Sequence, residues 1–300
     1  MERRGAAHPR DAGRPRHSRG HLRRLSQGCA GPGESLNVVI TGSTRGIGLG
    51  LAREFLRRGH AVMVSSRGQA AVDAAVAGLA AQFPQQQVAG HACDVAAYDQ
   101  VQALWDAAAA AFGRVDIWVN NAGRDGTKVP FIMIEPEDYR ATVMTNLVGL
   151  MNCSRVCMAG MQRQQGGWIW NMEGMGSNGQ VRPALAPYGA TKCALRYFTT
   201  AMVRELKKTP VKVGYLSPGI VITDLLVPPP NRRGEAWQRN KKILNILADT
   251  VETVTPFLVE GMLAAKESGT AVRWLTDGRI RWRFVRSLFR RRDIFTPLGY

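Results

Sequence analysis

The residues best suited to moving a proton are a phenol and an ammonium group four positions apart, Tyr188 and Lys192 in Tyr188-Gly189-Ala190-Thr191-Lys192. At i and i+4 they share one face of a helix. A free tyrosine has a pKa near ~10, too high for easy proton exchange at neutral pH. A neighbouring cation favours the phenolate and lowers that pKa. The spacing arises by chance in many chains, so its weight comes from its surroundings. Upstream lie Asn120-Asn121-Ala122-Gly123, directly after a strand-like run, and the glycine-rich Thr41-Gly42-Ser43-Thr44-Arg45-Gly46-Ile47-Gly48.

The glycine segment sits between a strand-like run and a helix-period stretch, the setting a dinucleotide loop requires. Glycine permits the tight turn and lets the backbone approach a pyrophosphate closely. The following helix N-terminus supplies unpaired N–H groups and positive potential. Charge then selects the dinucleotide. Sites for NAD place an acid after the second strand to accept the ribose hydroxyls. Here that strand runs into Ser65-Ser66-Arg67, and Arg45 lies inside the loop. Two guanidiniums and a hydroxyl suit a 2′-phosphate, which an Asp would repel. The expectation is NADPH; the plainer reading of Arg67 is a solvated loop residue.

The elements that must position these groups alternate regularly. Strand-like runs are Leu36–Thr41, Ala61–Ser65, Val88–Ala92, Val115–Val119, Trp168–Asn171, Val211–Leu216 and Ala271–Leu275. Between them lie helix-period segments at Ile47–Arg58, Gln69–Phe83, Asp99–Phe112, Glu137–Gln164, Thr191–Lys208 and Val251–Lys266. Such alternation implies βαβ units and a parallel sheet. The expected fold is α/β, a single Rossmann-type doubly wound parallel sheet of about seven strands with helices on both faces. Residues 220–245, with Pro228-Pro229-Pro230, break the alternation and read as a lid over the cleft.

Charge divides the chain further. The net charge of +17 is concentrated at the ends. Residues 1–35 hold eight arginines against three acids, and residues 271–300 hold eight against Asp277 and Asp293. The first segment lacks both apolar periodicity and the apolar stretch of a secretory signal. It reads as an organellar transit peptide or a disordered basic tail. The domain is expected over 36–276, with a basic, aromatic tail over 277–300. In that tail Arg279-Ile280-Arg281-Trp282-Arg283-Phe284 alternates like a strand, whereas Phe284-Val285 with Leu288-Phe289 suits a helix. Arginines mixed with large apolar groups favour an anionic lipid surface, or packing against a subunit or the core. Nucleic acid would attract the charge, but no recognition motif is present. No apolar run approaches the ~18 residues of a spanning helix. The five cysteines include no CxxC and no His-rich neighbour, which disfavours a metal site. Cys153 and Cys157, one helical turn apart, read as small core residues in a reducing compartment.

Together these motifs, spread over about 240 residues of sequence, resemble the short-chain dehydrogenase/reductase family. The resemblance carries Gly42, Gly46 and Gly48 onto the dinucleotide loop, Asp94-Val95 to the adenine, and Asn120, Ala122 and Gly123 to the cofactor. It places Pro218-Gly219 with Thr223 at the nicotinamide carboxamide. It makes Tyr188 the general acid/base, Lys192 the residue that holds the nicotinamide ribose and tunes Tyr188, and Asn146 the support of a water relay. The family's serine, thirteen residues before the tyrosine, would fall on Met175. The nearest hydroxyl is Ser177, and Glu173, Asn171 or a backbone N–H are the other candidates for its role.

That departure narrows the resemblance. Gly166-Gly167-Trp168-Ile169-Trp170-Asn171-Met172-Glu173-Gly174-Met175-Gly176-Ser177, with Tyr188 to Cys193 and Leu275-Thr276-Asp277-Gly278-Arg279-Ile280, is similar to the chlorophyll b reductases, over about residues 36 to 295. It implies NADPH-dependent reduction of the 7-formyl group of chlorophyll b to 7-hydroxymethyl chlorophyll a, the first step of antenna breakdown. The implied setting is the chloroplast, peripherally on the stroma-facing thylakoid surface. The implied partners are a membrane-anchored relative and light-harvesting complex, in a homo- or hetero-oligomer. A wide pigment entrance would use the lid and Met133, Met172 and Met175, which otherwise read as ordinary packing. The competing readings are a general NADPH-dependent carbonyl reductase of the same family and a non-catalytic NADPH-binding scaffold.

Overall fold

The computed structural model describes residues 35–228, 230 and 233–299. Almost all of the basic N-terminal segment therefore lies outside the described residues, as do Pro229, Asn231 and Arg232 of the lid. Seven strands form one sheet: β1 (Asn37–Thr41), β2 (Ala61–Ser65), β3 (Val88–Gly90), β4 (Ile117–Asn120), β5 (Gly167–Met172), β6 (Val211–Ser217) and β7 (Ala271–Arg273). Their order is β3-β2-β1-β4-β5-β6-β7, and every neighbouring pair is parallel. The expected doubly wound sheet is observed. Its winding reverses between β1 and β4, and a crevice for a ligand opens at the strands' carboxyl ends there.

Both faces of the sheet are covered, so alternate residues of one strand enter different cores. Val38 and Ile40 pack with Leu51 and Phe55 of α1 (Gly46–Arg57), with α2 (Gln69–Gln82) and with α8 (Val251–Ala264). Val39, Trp118 and Ile169 face α3 (Tyr98–Phe112) and α5 (Gly149–Arg163), with Met202 of α6 (Ala186–Glu205) joining them. Cys153 and Cys157 are buried free thiols in this second core, where burial pushes both well above the usual thiol range.

The long helical segment expected at 137–164 is broken. Helix α4 (Pro136–Val143) passes through one π turn, Met144–Val148, before α5 begins. Such widened turns occur mostly at functional sites, and this one carries Asn146. The segment 220–245, expected as a lid, leads into an amphipathic helix that its prolines obscure in the sequence, α7 (Glu235–Leu247). Ile222, Val227, Trp237 and Leu244 there bury against Phe295, with Trp237 edge-on to the Phe295 ring at 5.5 Å. The tail resolves in favour of a helix, α9 (Asp277–Phe289), capped by Thr276 and packed on α7. Among the described residues no helix is long and apolar enough to cross a membrane.

Candidate active site

The glycine loop is held by the end of β4. The Thr41 hydroxyl accepts the N–H of Asn121 at 3.1 Å and of Ala122 at 3.0 Å. The Asn121 amide donates to the carbonyls of Thr41 and Gly42, each at 2.9 Å. This packing leaves no room for side chains. A Cβ on Gly48 would lie 2.4 Å from the Gly42 carbonyl oxygen, and one on Gly42 2.9 Å from the Ala122 Cα. Gly42 and Gly46 also have φ of +63° and +56°, where other residues are strained. Helix α1 starts here with no side-chain cap and no acid in its first turn. Free N–H groups at a positive dipole end behind a tight backbone cradle fit a pyrophosphate.

Not every residue expected at this loop faces outward. Ser43 is fully buried; its hydroxyl donates to the Ile40 carbonyl at 2.6 Å and accepts the Ser65 N–H at 2.9 Å. It ties β1 to β2. Thr44 and Ile47 are half-buried, whereas Arg45 is exposed and reaches Asp224 at 3.5 Å in an open ion pair. Ser66 is half-buried and Arg67 exposed at the end of β2. Val95 buries its side chain against Gly149 of α5, and Asp94 caps the N–H of Ala96 at 3.0 Å. Across the cleft, Pro218 is buried and Gly219 (φ +72°) backs onto Leu275. The chain then brings the Thr223 methyl over Gly46, 3.4 Å from where a Cβ would stand.

Tyr188 and Lys192 lie on the first turns of α6, whose Pro187 suits a helix start. Lys192 is buried, donates to the Met172 carbonyl at 2.9 Å, and stands 5.8 Å from the centre of the Tyr188 ring. Behind them, Asn146 donates to the Arg124 carbonyl at 2.8 Å and the Thr191 hydroxyl at 3.1 Å, and its oxygen accepts the Arg124 N–H at 2.9 Å. The π turn thus aims one amide at three partners from two other elements. Thr41, Asn120, Ala122, Asn146 and Lys192 line one small cavity. The structure therefore brings the tyrosine, the lysine, the asparagine and the glycine loop to one end of the sheet.

The residue directly beneath the phenol is Gly174, which the spacing does not single out. A Cβ there would stand 2.2 Å from the Tyr188 oxygen and 3.2 Å from the Lys192 Cε. Ser177 accepts the Gly174 N–H at 3.0 Å and so holds this turn closed. The two side-chain alternatives for the serine's role are occupied. Asn171 is fully buried between Asn120 at 2.8 Å and Thr199 at 2.9 Å, and Glu173 is buried against Arg196 at 2.7 Å. Asn120 likewise spends its side chain inside the sheet, accepting from Trp118 at 2.9 Å. Met172 is a core residue of β5 and does not line an entrance, whereas Met133 is exposed.

The charge balance at the couple differs from the simple expectation. Burial pushes the Tyr188 phenol up, with Asp125 adding to it. Burial lowers Lys192 to about 8, partly opposed by Glu173. Desolvation of the phenolate outweighs an ammonium that is itself poorly solvated and lies beside the ring.

The fold and this constellation define a dinucleotide-type α/β domain with a half-buried tyrosine beside a buried lysine at its crevice. The chain belongs to the short-chain dehydrogenase family of oxidoreductases, whose profile matches residues 36–232. It is 40% identical over 279 residues, 88% of its length, to a probable chloroplastic chlorophyll(ide) b reductase of Arabidopsis thaliana, and spans about half, 55%, of that relative. It is 39% identical to the chloroplastic chlorophyll(ide) b reductase of Oryza sativa subsp. japonica, over 80% of this chain and 71% of that one. Among solved structures, the 3-ketoacyl-(acyl-carrier-protein) reductase of Brucella melitensis complexed with NADH shares 25% identity. Its TM-score is 0.68, covering 80% of this chain and 96% of the other.

Proposed function

We propose that this chain reduces the 7-formyl group of chlorophyll b to the hydroxymethyl group of 7-hydroxymethyl chlorophyll a, using NADPH, at the stroma-facing thylakoid surface. The observation that carries the reading is the Tyr188 hydroxyl set over Gly174, with Lys192 and Asn146 behind it, in a chain 39–40% identical to relatives named chlorophyll(ide) b reductase. Gly42, Gly46 and Gly48 with the start of α1 would hold the pyrophosphate, and exposed Arg67 would reach a 2′-phosphate, with Arg45 joining it from its open ion pair with Asp224. Bound NADPH supplies the hydride that the formyl carbon receives.

The chain's own part is positioning and proton delivery. A phenol whose pKa is pushed up stays protonated at neutral pH, which suits a proton donor to the developing alkoxide. Lys192, lowered to about 8, remains a cation below that pH and stabilises the negative charge that Tyr188 takes on as it gives up its proton. Ser177 is the remaining hydroxyl at this turn and the candidate partner of the substrate oxygen. Phe131 and Met133, exposed after β4, and Leu225, exposed after β6, would give the entrance apolar lips.

The deciding experiment incubates the protein with NADPH and chlorophyll b and follows pigments by chromatography. A hydroxymethyl product formed with NADPH and lost in Tyr188→Phe supports the proposal. Turnover of small carbonyls without turnover of chlorophyll b would replace it with a general carbonyl reductase. Tight NADPH binding with no turnover of either would replace it with a scaffold.

A further inference from the structure

Helix α9 turns its apolar side away from the protein. Arg283 and Ser287 are half-buried on the inner side, and Arg283 donates to the Leu247 carbonyl at the end of α7 at 2.9 Å. Opposite them lie Trp282, Phe284, Val285, Leu288 and Phe289, all exposed, Leu288 by 80% and Phe289 by 86%. At 3.6 residues per turn these five fall within about 160° of the helix circumference, centred on Val285. Arg286 flanks one side of this arc, Arg281 lies within it, and Arg290 and Arg291 follow directly after the helix's last residue; all four are exposed. Asp277, in the first turn, is the only acid of the helix. Scattered exposed apolar residues need no explanation, but five contiguous ones on one helix face mark an interaction surface.

We propose that this face of α9 lies in the interface of an anionic bilayer, with Leu288, Phe289, Val285 and Trp282 in the acyl boundary and the arginines reaching the headgroups. An in-plane helix has this construction: a large apolar face, cationic flanks whose long stems snorkel, and low overall hydrophobicity. Charge decides against the other occupants. The segment 1–34 carries eight arginines, so it would meet this face with like charge. An isologous pairing with a second copy would set arginine against arginine. The surface is also tied to the cleft. Arg283 and Arg292 both bind the buried Asp249, at 2.7 and 2.6 Å, and the backbone of Asp249 pairs with Ile220 and Ile222 just after β6. Docking of α9 would therefore fix the lid side of the cleft relative to the membrane. The proposal rests on the surface location in the reductase reading and names the element that makes the contact, independently of cofactor and pigment.

The test uses the full chain with no cofactor or pigment, so its outcome is separate from that of the pigment assay. Vesicles of phosphatidylcholine mixed with phosphatidylglycerol are sedimented beside vesicles of phosphatidylcholine alone. We expect binding on the order of tenfold or more tighter to the anionic vesicles, weakening with salt. The double variant Leu288→Asp/Phe289→Asp should lose about tenfold or more of that binding with an unchanged unfolding temperature. In the unmodified chain, brominated anionic lipid should quench a tryptophan signal that disappears in Trp282→Phe, a readout that stands if the double variant does not fold. Binding that is absent, or indifferent to both sets of variants, overturns the proposal. So does a dimer that the double variant converts to monomer, since a second copy would then cover the face.

Discussion

On one side of the cleft, residues 41–48 are gripped by β4 through backbone atoms, one threonine hydroxyl and one asparagine amide, at separations that only glycine tolerates. On the other side, the segment after β6 is held through a carboxylate. Asp249, 1% exposed, accepts from Arg283, Arg292 and the Trp274 indole at 2.6–2.7 Å, and its backbone pairs with 220–222. The first side is steric and local, and it suits a ligand common to many reductases. The second side is electrostatic and draws on residues as far apart as 249 and 292. Among the described residues the two sides share no hydrogen bond or ion pair other than the open Arg45–Asp224 contact.

Removing the reacting group without disturbing either wall should have the largest effect. Tyr188→Phe should lower turnover by on the order of 10²–10⁴-fold while the unfolding temperature and dinucleotide binding stay near normal. Normal turnover in that variant would move the proton donor elsewhere. Gly174→Ala should approach the same loss by displacing the hydroxyl, because its Cβ would stand 2.2 Å from the Tyr188 oxygen.

Asp249→Asn tests the electrostatic wall. It leaves two guanidiniums facing a neutral amide, and breaking a buried pair costs about 3–5 kcal/mol. The loss should appear in urea unfolding, with dinucleotide affinity altered far less. Exposed pairs such as Arg239–Glu235 should be worth no more than about 1 kcal/mol. Gly48→Ala is the counterpart on the steric wall. Overpacking there should cost about 1–3 kcal/mol and weaken dinucleotide binding disproportionately. Equal loss of dinucleotide binding in the two variants would erase the distinction between the walls.

Smaller effects sharpen the same contrast. Arg67→Asp should remove a preference for NADPH over NADH, at about 1.5–3 kcal/mol per charged hydrogen bond, and equal affinity for both cofactors in the unmodified chain would refute that assignment. Lys192 gives a pH signature. Its folded pKa of about 8 lies below the unfolded 10.5, so the folded state binds fewer protons between those values. This group by itself should therefore add stability as pH rises from about 8 to 10.5 and lose that increment as pH falls back through 8, against the buried Cys153 and Cys157 thiols, whose raised values act in the opposite direction. The Lys192 contribution is read as the difference in pH slope between the unmodified chain and Lys192→Met, measured by urea unfolding without cofactor, and equal slopes would refute it.

Local pattern already determined much of this protein. The apolar runs of β1, β2 and β6 and the periodicity of α1, α3 and α8 read correctly, because period-two and 3.6-residue patterns are set by immediate neighbours. The glycine loop and the tyrosine–lysine spacing were legible for the same reason. The break at Met144–Val148 was not, since the π turn is stabilised by the bonds of Asn146 to Arg124 and Thr191, remote in sequence. Helix α7 was hidden by the prolines before it, and α9 stayed ambiguous until it had α7 to pack on. Tertiary structure alone turned Ser43, Asn120 and Asn171 inward, put Gly174 under the phenol, and made Asp249 the knot between tail and lid. It also reversed the expected direction of the Tyr188 shift. A pKa sums burial and every nearby charge, and those neighbours come from elements far apart in the chain.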